Sequence, residues 1–176
     1  MSAMQVEQIQ ILNLVESYCK NLDVRWNKYK GDVVCRIVQR FIGNHLSVVV
    51  GPNAYIDGFP YEFDLLVVDN DSPRDLTLSY QPQNVRDAIE VKKGGIYSQS
   101  QLAKTKKMFD DVVSKCPHIK CAYFAVEEVQ TVVKKNSINF YVLSKTTLGS
   151  HGFFALRDLR RKGLIVGDWA KFIAYL

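Results

Sequence analysis

A chain of 176 residues and 20.1 kDa is one domain's worth. With 47% apolar and 11% aromatic residues, ten glycines and five prolines, it can bury a continuous core, which excludes disordered, collagen-like and linker compositions. The net charge of +5 is unevenly spread: Met1 to Ala88 carries 8 Lys+Arg against 11 Asp+Glu, a balance of −3, and Ile89 to Leu176 carries 15 against 7, a balance of +8. Most of the first half's acid, seven of its 11 Asp+Glu, lies between Asp57 and Asp87. Such an acidic stretch beside a basic half suits a site that holds divalent cations against a polyanion, and equally suits a basic domain with solvated charges. The longest apolar runs, such as Ser47 to Gly51, fall far short of the roughly 20 residues of a membrane helix. The first twenty residues, interrupted by Glu7 and Glu16, contain no secretory apolar stretch. The expectation is a cytoplasmic protein with no membrane partner, whose four cysteines, Cys19, Cys35, Cys116 and Cys121, are reduced and mostly buried.

In chain order, Val6, Ile9, Leu12, Val15, Cys19 and Leu22 recur at helical spacing and predict a first helix from about Met4 to Leu22. A polar stretch through Asn27 and Gly31 breaks it; Asp32 then reads as the cap of a second helix, striped by Val34, Ile37, Val38 and Phe41 and stopped by Gly43-Asn44. The period changes at Leu46 to Val50, a β-branched strand closed by Gly51-Pro52. A second strand spans Tyr61 to Val68, and a third spans Asp87 to Lys93, ended by Gly94-Gly95. A helix from Ser98 to about Lys115 carries Leu102, Thr105, Phe109, Val112 and Cys116 on one stripe. Cys121 to Val129 and Ile138 to Leu143 read as strands and Leu156 to Leu164 as a basic helix, and Asp168 caps a short last helix with Trp169, Phe172 and Ile173. The order is α-α-β-β-β-α-β-β-α. Three strands joined by loops make a meander, and the following strand-helix-strand unit requires a parallel crossover, so the fold class is α/β with a mixed sheet flanked by helices. The whole chain, 1–176, reads as one domain.

Two strands are interrupted by charge. The second reads Tyr61-Glu62-Phe63-Asp64-Leu65-Leu66-Val67-Val68, and the third Ala88-Ile89-Glu90-Val91-Lys92-Lys93. Strand side chains alternate, so Glu90 and Lys92 share one face. Charge in so apolar a strand is costly unless it is paired or bound to metal. If Asp64 and Glu90 lie on adjacent strands, two carboxylates meet in one pocket, a setting that suits Mg²⁺. Lys92 beside them would orient a water or balance a phosphate.

This arrangement resembles the PD-(D/E)xK nuclease superfamily, with its restriction-endonuclease-like fold. In that family an acid on the second strand and a (D/E)-x-K triplet on the third hold the metal within an α-β-β-β-α-β core. Asp64 stands at the first acid and Glu90-Val91-Lys92 at the triplet. The resemblance covers about residues 32–129, with a helical N-terminal extension and a basic C-terminal part outside it. It departs at Phe63, which stands where the motif's proline would be. What it implies is a Mg²⁺-dependent endonuclease, with Mn²⁺ able to substitute, acting on nucleic acid, foremost duplex DNA, and working as a homodimer where both strands are cut. Asp64, Glu90 and Lys92 would be catalytic, and Asp64, Glu90 and the Val91 carbonyl would hold the metal.

Further candidates carry a second reading each. Gln101 could reach the site from the next helix, or complete a capping box with Ser98. A helical acid of the family could be Glu16, otherwise a solvated helix residue, or Asp32, otherwise an N-cap. Asp57 and Glu62 could extend the acidic pocket, although Asp57-Gly58 also reads as a turn. Lys93, Lys104, Lys107, Arg160, Arg161 and Lys162 are candidates for phosphate contacts, as are Lys106 and Arg157. Cys116-Pro117-His118-Ile119-Lys120-Cys121 does not have the spacing of a zinc knuckle and falls where a helix must turn into a strand. His45 and His151 lack a triad pattern. The competing function is a nucleic-acid-binding domain on the same fold without cleavage.

Overall fold

The computed structural model describes residues 1–20, 27–46, 48–69, 79–93, 99–128, 132–133, 136–137, 145–158, 164–165 and 167–176. Helix α1 spans Ala3–Cys19 and α2 spans Asn27–Ile42. Short strands follow: β1 (Val49–Val50), β2 (Ala54–Ile56), β3 (Glu62–Phe63), β4 (Leu65–Val68) and β5 (Ser79–Tyr80). Strand β6 (Val85–Lys92), helix α3 (Gln99–Lys115) and strand β7 (Lys120–Glu128) form the predicted crossover. The small pair β8 (Val132–Val133) and β9 (Asn136–Ser137), then β10 (Gly152–Asp158), β11 (Leu164–Ile165) and helix α4 (Trp169–Tyr175), complete the order.

The central sheet has six strands in the order β1-β4-β6-β7-β10-β11, and β3-β2-β5 form a separate small sheet. Strands β1, β4 and β6 run antiparallel in sequence, whereas β6, β7 and β10 are parallel neighbours. The meander and the crossover expected from the sequence are therefore both present. Strand β4 is buried on both faces. Leu65 and Val67 pack with Ile89, Val91 and the apolar faces of α1, α2 and α4; Leu66 and Val68 pack with Ala88 and with Leu102, Phe109 and Val112 of α3. That two-sided burial is why the strand reads as an unbroken apolar run.

Helix α1 begins at Ala3, one residue before the predicted start, where Ser2 and Gln5 form a reciprocal cap, each side chain bonding the other's backbone N–H. Its buried face is Gln8, Ile11, Leu12, Val15 and Cys19, with Val6 exposed, so the stripe is rotated from the one the apolar spacing suggested. Glu7 fastens α1 to its neighbours: its carboxylate accepts from Trp169 Nε1 at 2.9 Å and Asn44 Nδ2 at 3.1 Å and pairs with His45 Nε2 at 2.7 Å. The sheet edge at β1 is only two residues long, and Gln39 Nε2 donates to the Val49 carbonyl at 2.8 Å. A short, capped edge resists pairing with another chain.

Four expectations are corrected. Asp32 is not a helix cap, because α2 already runs from Asn27 and carries Gly31-Asp32 inside it. Tyr61 to Val68 is not one strand; the chain leaves the small sheet after Phe63 and enters the central sheet at Leu65. Leu156 does not begin a helix but lies within a strand, β10, whose core Phe153-Phe154-Ala155-Leu156 supplies the apolar run that a strand beside β7 needs. Asp168 does precede the last helix, but its side chain makes no cap; Oδ2 accepts from Ala155 N at 3.3 Å and Oδ1 from Lys171 Nζ at 3.1 Å. The strand expected at Ile138 to Leu143 lies outside the described residues.

Asp87, on the α4 side of β6, is 1% exposed, and among the described residues neither carboxylate oxygen has a hydrogen-bond partner. Arg86 Nη2 stands 3.7 Å away, too far for a good bond. Burial pushes the carboxyl up to about 6, against the pull of Lys120 and Arg86. Because the folded value exceeds that of an unfolded aspartate, its contribution to stability is full below about pH 4 and is lost as pH rises through about 6. Asp87→Asn should therefore gain about 1–2 kcal/mol on the parent between pH 4 and pH 7.5, any cost of seating the new amide being the same at both. Urea unfolding at the two pH values checks this, and equal differences at both would contradict it.

Candidate active site

Asp64 sits at the junction of two sheets. Phe63 pairs with Ala54 in the small sheet, whereas Leu65 pairs with Ile89 in the central one. Continuing the central ladder would put Phe63 opposite Val91, but Phe63 has turned away. Asp64 takes its place with a side chain: Oδ2 accepts from the Val91 backbone N–H at 2.8 Å. A peptide donor that would otherwise be stranded is thus satisfied by a carboxylate.

Gly51 makes this junction possible. Its φ of +137° is open to glycine and rarely to other residues. A Cβ there would overlap the Asp64 carbonyl oxygen and stand 2.9 Å from a Leu65 methyl. The turn after β1 therefore packs directly on the backbone that presents Asp64.

Lys92 joins the two acids. Its Nζ lies 2.7 Å from Asp64 Oδ2 and 2.9 Å from Glu90 Oε2, so these oxygens stand within about 6 Å of each other. Sheet alternation puts Glu90 and Lys92 on the same face, as the sequence implied. The site is largely screened by protein: the Glu90 side chain is 12% exposed and that of Asp64 22%, while Lys92 reaches out at 46%. Burial, then the neighbouring Asp64 charge, pushes the Glu90 carboxyl up to about 7, with Lys92 opposing. Burial pulls Lys92 down, but the two carboxylates outweigh it and hold the ammonium well above its ordinary value. The Cys35 thiol of α2, in the same buried cluster as Leu65 and Val91, is pushed up by burial and next by the Asp64 charge.

The donor set fits a hard divalent cation. Two carboxylates already converge on one positive charge, and Mg²⁺ commonly takes one or two carboxylates and fills its remaining positions with water. The N–H and C=O of one strand residue point to the same edge, so the Val91 carbonyl faces the gap into which its N–H donates. Among the described residues no group of three or more His, Cys, Asp or Glu is placed to hold a metal. Neither Glu16 nor Asp32 therefore adds a third side-chain ligand in this geometry, and the cysteine–histidine turn at Cys116 to Cys121 forms no zinc site. Glu16 is exposed on α1, and Asp32 lies one helical turn from Cys35.

The remaining candidates are spread around the site. Gln101 is exposed on the first turn of α3, and Ser98, its suggested capping partner, lies outside the described residues. Lys104 and Lys107 are exposed on α3, Lys93 is half-buried just after β6, and Lys106 pairs with Asp110. Asp57 does not extend the acidic pocket: it holds the small sheet together by accepting from Ser79 Oγ and from Gln81 Nε2. Glu62 accepts from Tyr55 Oη at 2.7 Å within the same sheet. Arg160, Arg161 and Lys162 lie outside the described residues, and nothing is described of the Arg157 side chain. His151 pairs with Asp110 at 2.9 Å. Sequence reasoning missed the part played by Gly51: the Gly51-Pro52 turn was visible, but not that its packing partner is Asp64.

No family model matches the chain, and no curated protein matches it in sequence. Solved structures do match in fold. NucC of P. aeruginosa ATCC27853, in its cAAA-bound form, superposes with a TM-score of 0.61 at 13% identity, over 84% of this chain and 73% of that one. NucC of E. coli MS115-1, also cAAA-bound, gives 0.56 at 14% identity, over 73% of this chain and 64% of that one. At these identities the likeness shows the fold alone: a mixed sheet flanked by helices, the fold class that the sequence pattern implied. Among the described residues no helix is long and apolar enough to cross a membrane.

Proposed function

We propose that this chain is a divalent-metal-dependent endonuclease that hydrolyses phosphodiester bonds of nucleic acid, with duplex DNA as its first candidate substrate. The observation that carries the reading is the convergence of Asp64 and Glu90 on the Lys92 ammonium at the end of two central strands. In this reading Asp64, Glu90 and the Val91 carbonyl hold Mg²⁺, for which Mn²⁺ can substitute. When bound, the ion supplies positive charge to the phosphodiester and makes a water more acidic. The Val91 N–H fixes the Asp64 carboxylate, so one ligand is oriented before any cation arrives. Lys92 stays cationic at any working pH, which suits it to offset charge on the phosphate rather than to act as a base. Gln101, on the first turn of α3, is the candidate for orienting water or substrate. Lys93, Lys104 and Lys107 are the described cations offered to the phosphate backbone, and Arg160, Arg161 and Lys162 extend that set. A second copy of the chain would supply the second centre for cutting both strands of a duplex.

Incubating the protein with supercoiled DNA, linear duplex, single strands and RNA, in Mg²⁺, in Mn²⁺ and in chelator, tests the reading. Metal-dependent nicking is the expected result. Metal-independent binding without cleavage of any substrate would leave a binding domain instead. Affinity should also fall linearly on a log–log salt plot, and replacing Lys104 and Lys107 together by Ala should reduce the slope by about 2 if both meet phosphates. An unchanged slope would place the nucleic acid on another face.

A further inference from the structure

The site described above holds a cation of its own. Lys92 Nζ donates to Asp64 Oδ2 at 2.7 Å and lies 2.9 Å from Glu90 Oε2, so it bridges one oxygen of each of the two carboxylates. Asp64 Oδ2 also accepts the Val91 N–H at 2.8 Å. A carboxylate oxygen has two lone-pair directions, and here one is committed to the backbone and the other to Lys92. The backbone donor is fixed by β6, so only the Lys92 contact can be given up. Lys92 also has a way out: its stem is flexible and its side chain is 46% exposed, against 22% and 12% for the two acids.

We propose that Lys92 is the resident counter-ion of the metal-free site, which must swing off both carboxylates before a divalent cation can bind between them. This rests on the nuclease reading of the site and adds a sequence of events to it. With Lys92 in place, two like charges near each other are balanced and the ligands keep their positions without metal. Once Lys92 has left, its ammonium stands at the more open side of the site, where a phosphodiester would lie. Lysine and phosphate thus meet only after the ligands have been handed over. Metal affinity is lowered by the fraction of time Lys92 occupies the acids.

The test is calorimetric titration of Mn²⁺ into substrate-free protein, for the parent and for Lys92→Met, Lys92→Gln and Lys92→Arg, beside thermal melting in chelator. Both neutral variants should bind Mn²⁺ about tenfold tighter than the parent, because no competitor has to leave. Both should melt lower in chelator and recover on adding Mn²⁺. Lys92→Arg, whose fork keeps both carboxylates engaged, should bind no tighter than the parent. If the parent binds Mn²⁺ and both neutral variants bind it equally or more weakly, the displacement proposal is overturned while the metal centre stands. If neither the parent nor any variant binds Mn²⁺, the metal centre falls and the proposal with it.

Discussion

Glu90→Gln and Asp64→Asn should each lower divalent-dependent hydrolysis by about 10³-fold or more, with the fold unchanged. Each substitution keeps the shape of the side chain and removes one of the two charges that face Lys92. The hydrolytic loss is large because the ion loses a direct ligand and the phosphate loses the charge the ion would bring. The structural cost is small because the removed charge sits beside a like one. In the Glu90 variant the Asp64–Lys92 pair and the Val91 contact remain, so Asp64 keeps its position. Nicking assays with Mn²⁺ titration, alongside circular dichroism of each variant, check both halves. A Glu90→Gln protein that cuts as well as the parent would make Glu90 an ordinary strand charge.

The second large effect is expected far from any charge. Gly51→Ala demands a φ of +137° from a residue with a Cβ and drives that Cβ into the Asp64 carbonyl oxygen and the Leu65 side chain. Both colliding groups belong to the junction between β3 and β4, which is tied on one side to the small sheet and on the other to β6. Relief must come from moving the Asp64 segment. Destabilisation by about 2–4 kcal/mol is expected, from strain and overpacking together. Hydrolysis in the folded fraction should fall as well, because Asp64 would lose its line to Val91 and Lys92. Gly58→Ala is the control: its φ is +81°, yet nothing stands within 4 Å of the added Cβ, so it carries backbone strain alone and should spare activity. Equal losses of activity from the two variants would contradict this account.

The sheet was legible where one physical signal dominated. Leu65 to Val68 is apolar on both faces because the strand is central, and Ala88 to Lys92 reads as apolar and charged residues in alternation because one face opens to the site. The triplet Glu90-Val91-Lys92 could therefore be set on a strand beside the segment that carries Asp64, although Asp64 itself stands at the junction before β4. What could not be read was the change of partner at Asp64. Local pattern is the same whether Phe63 pairs in the central sheet or in another, and only long-range pairing with Ala54 decides it. The second parallel neighbour of β7 was missed for a related reason. Phe153 to Leu156 carries the apolar run of a strand, but the basic residues that follow drew the helical reading of Leu156 to Leu164. Asp32 failed as a cap because a capping residue and an ordinary early helix residue look alike once Gly31 is taken as a break.

The central claim is that Asp64 and Glu90 hold one divalent cation. A crystal of the parent protein soaked in Mn²⁺, with the anomalous signal of the metal measured, addresses it most directly. The account predicts a single strong peak at bonding distance from a carboxylate oxygen of each acid, facing the Val91 carbonyl, with the Lys92 ammonium turned away. A soaked crystal with no peak there, and with Lys92 still bridging the two carboxylates, would contradict it.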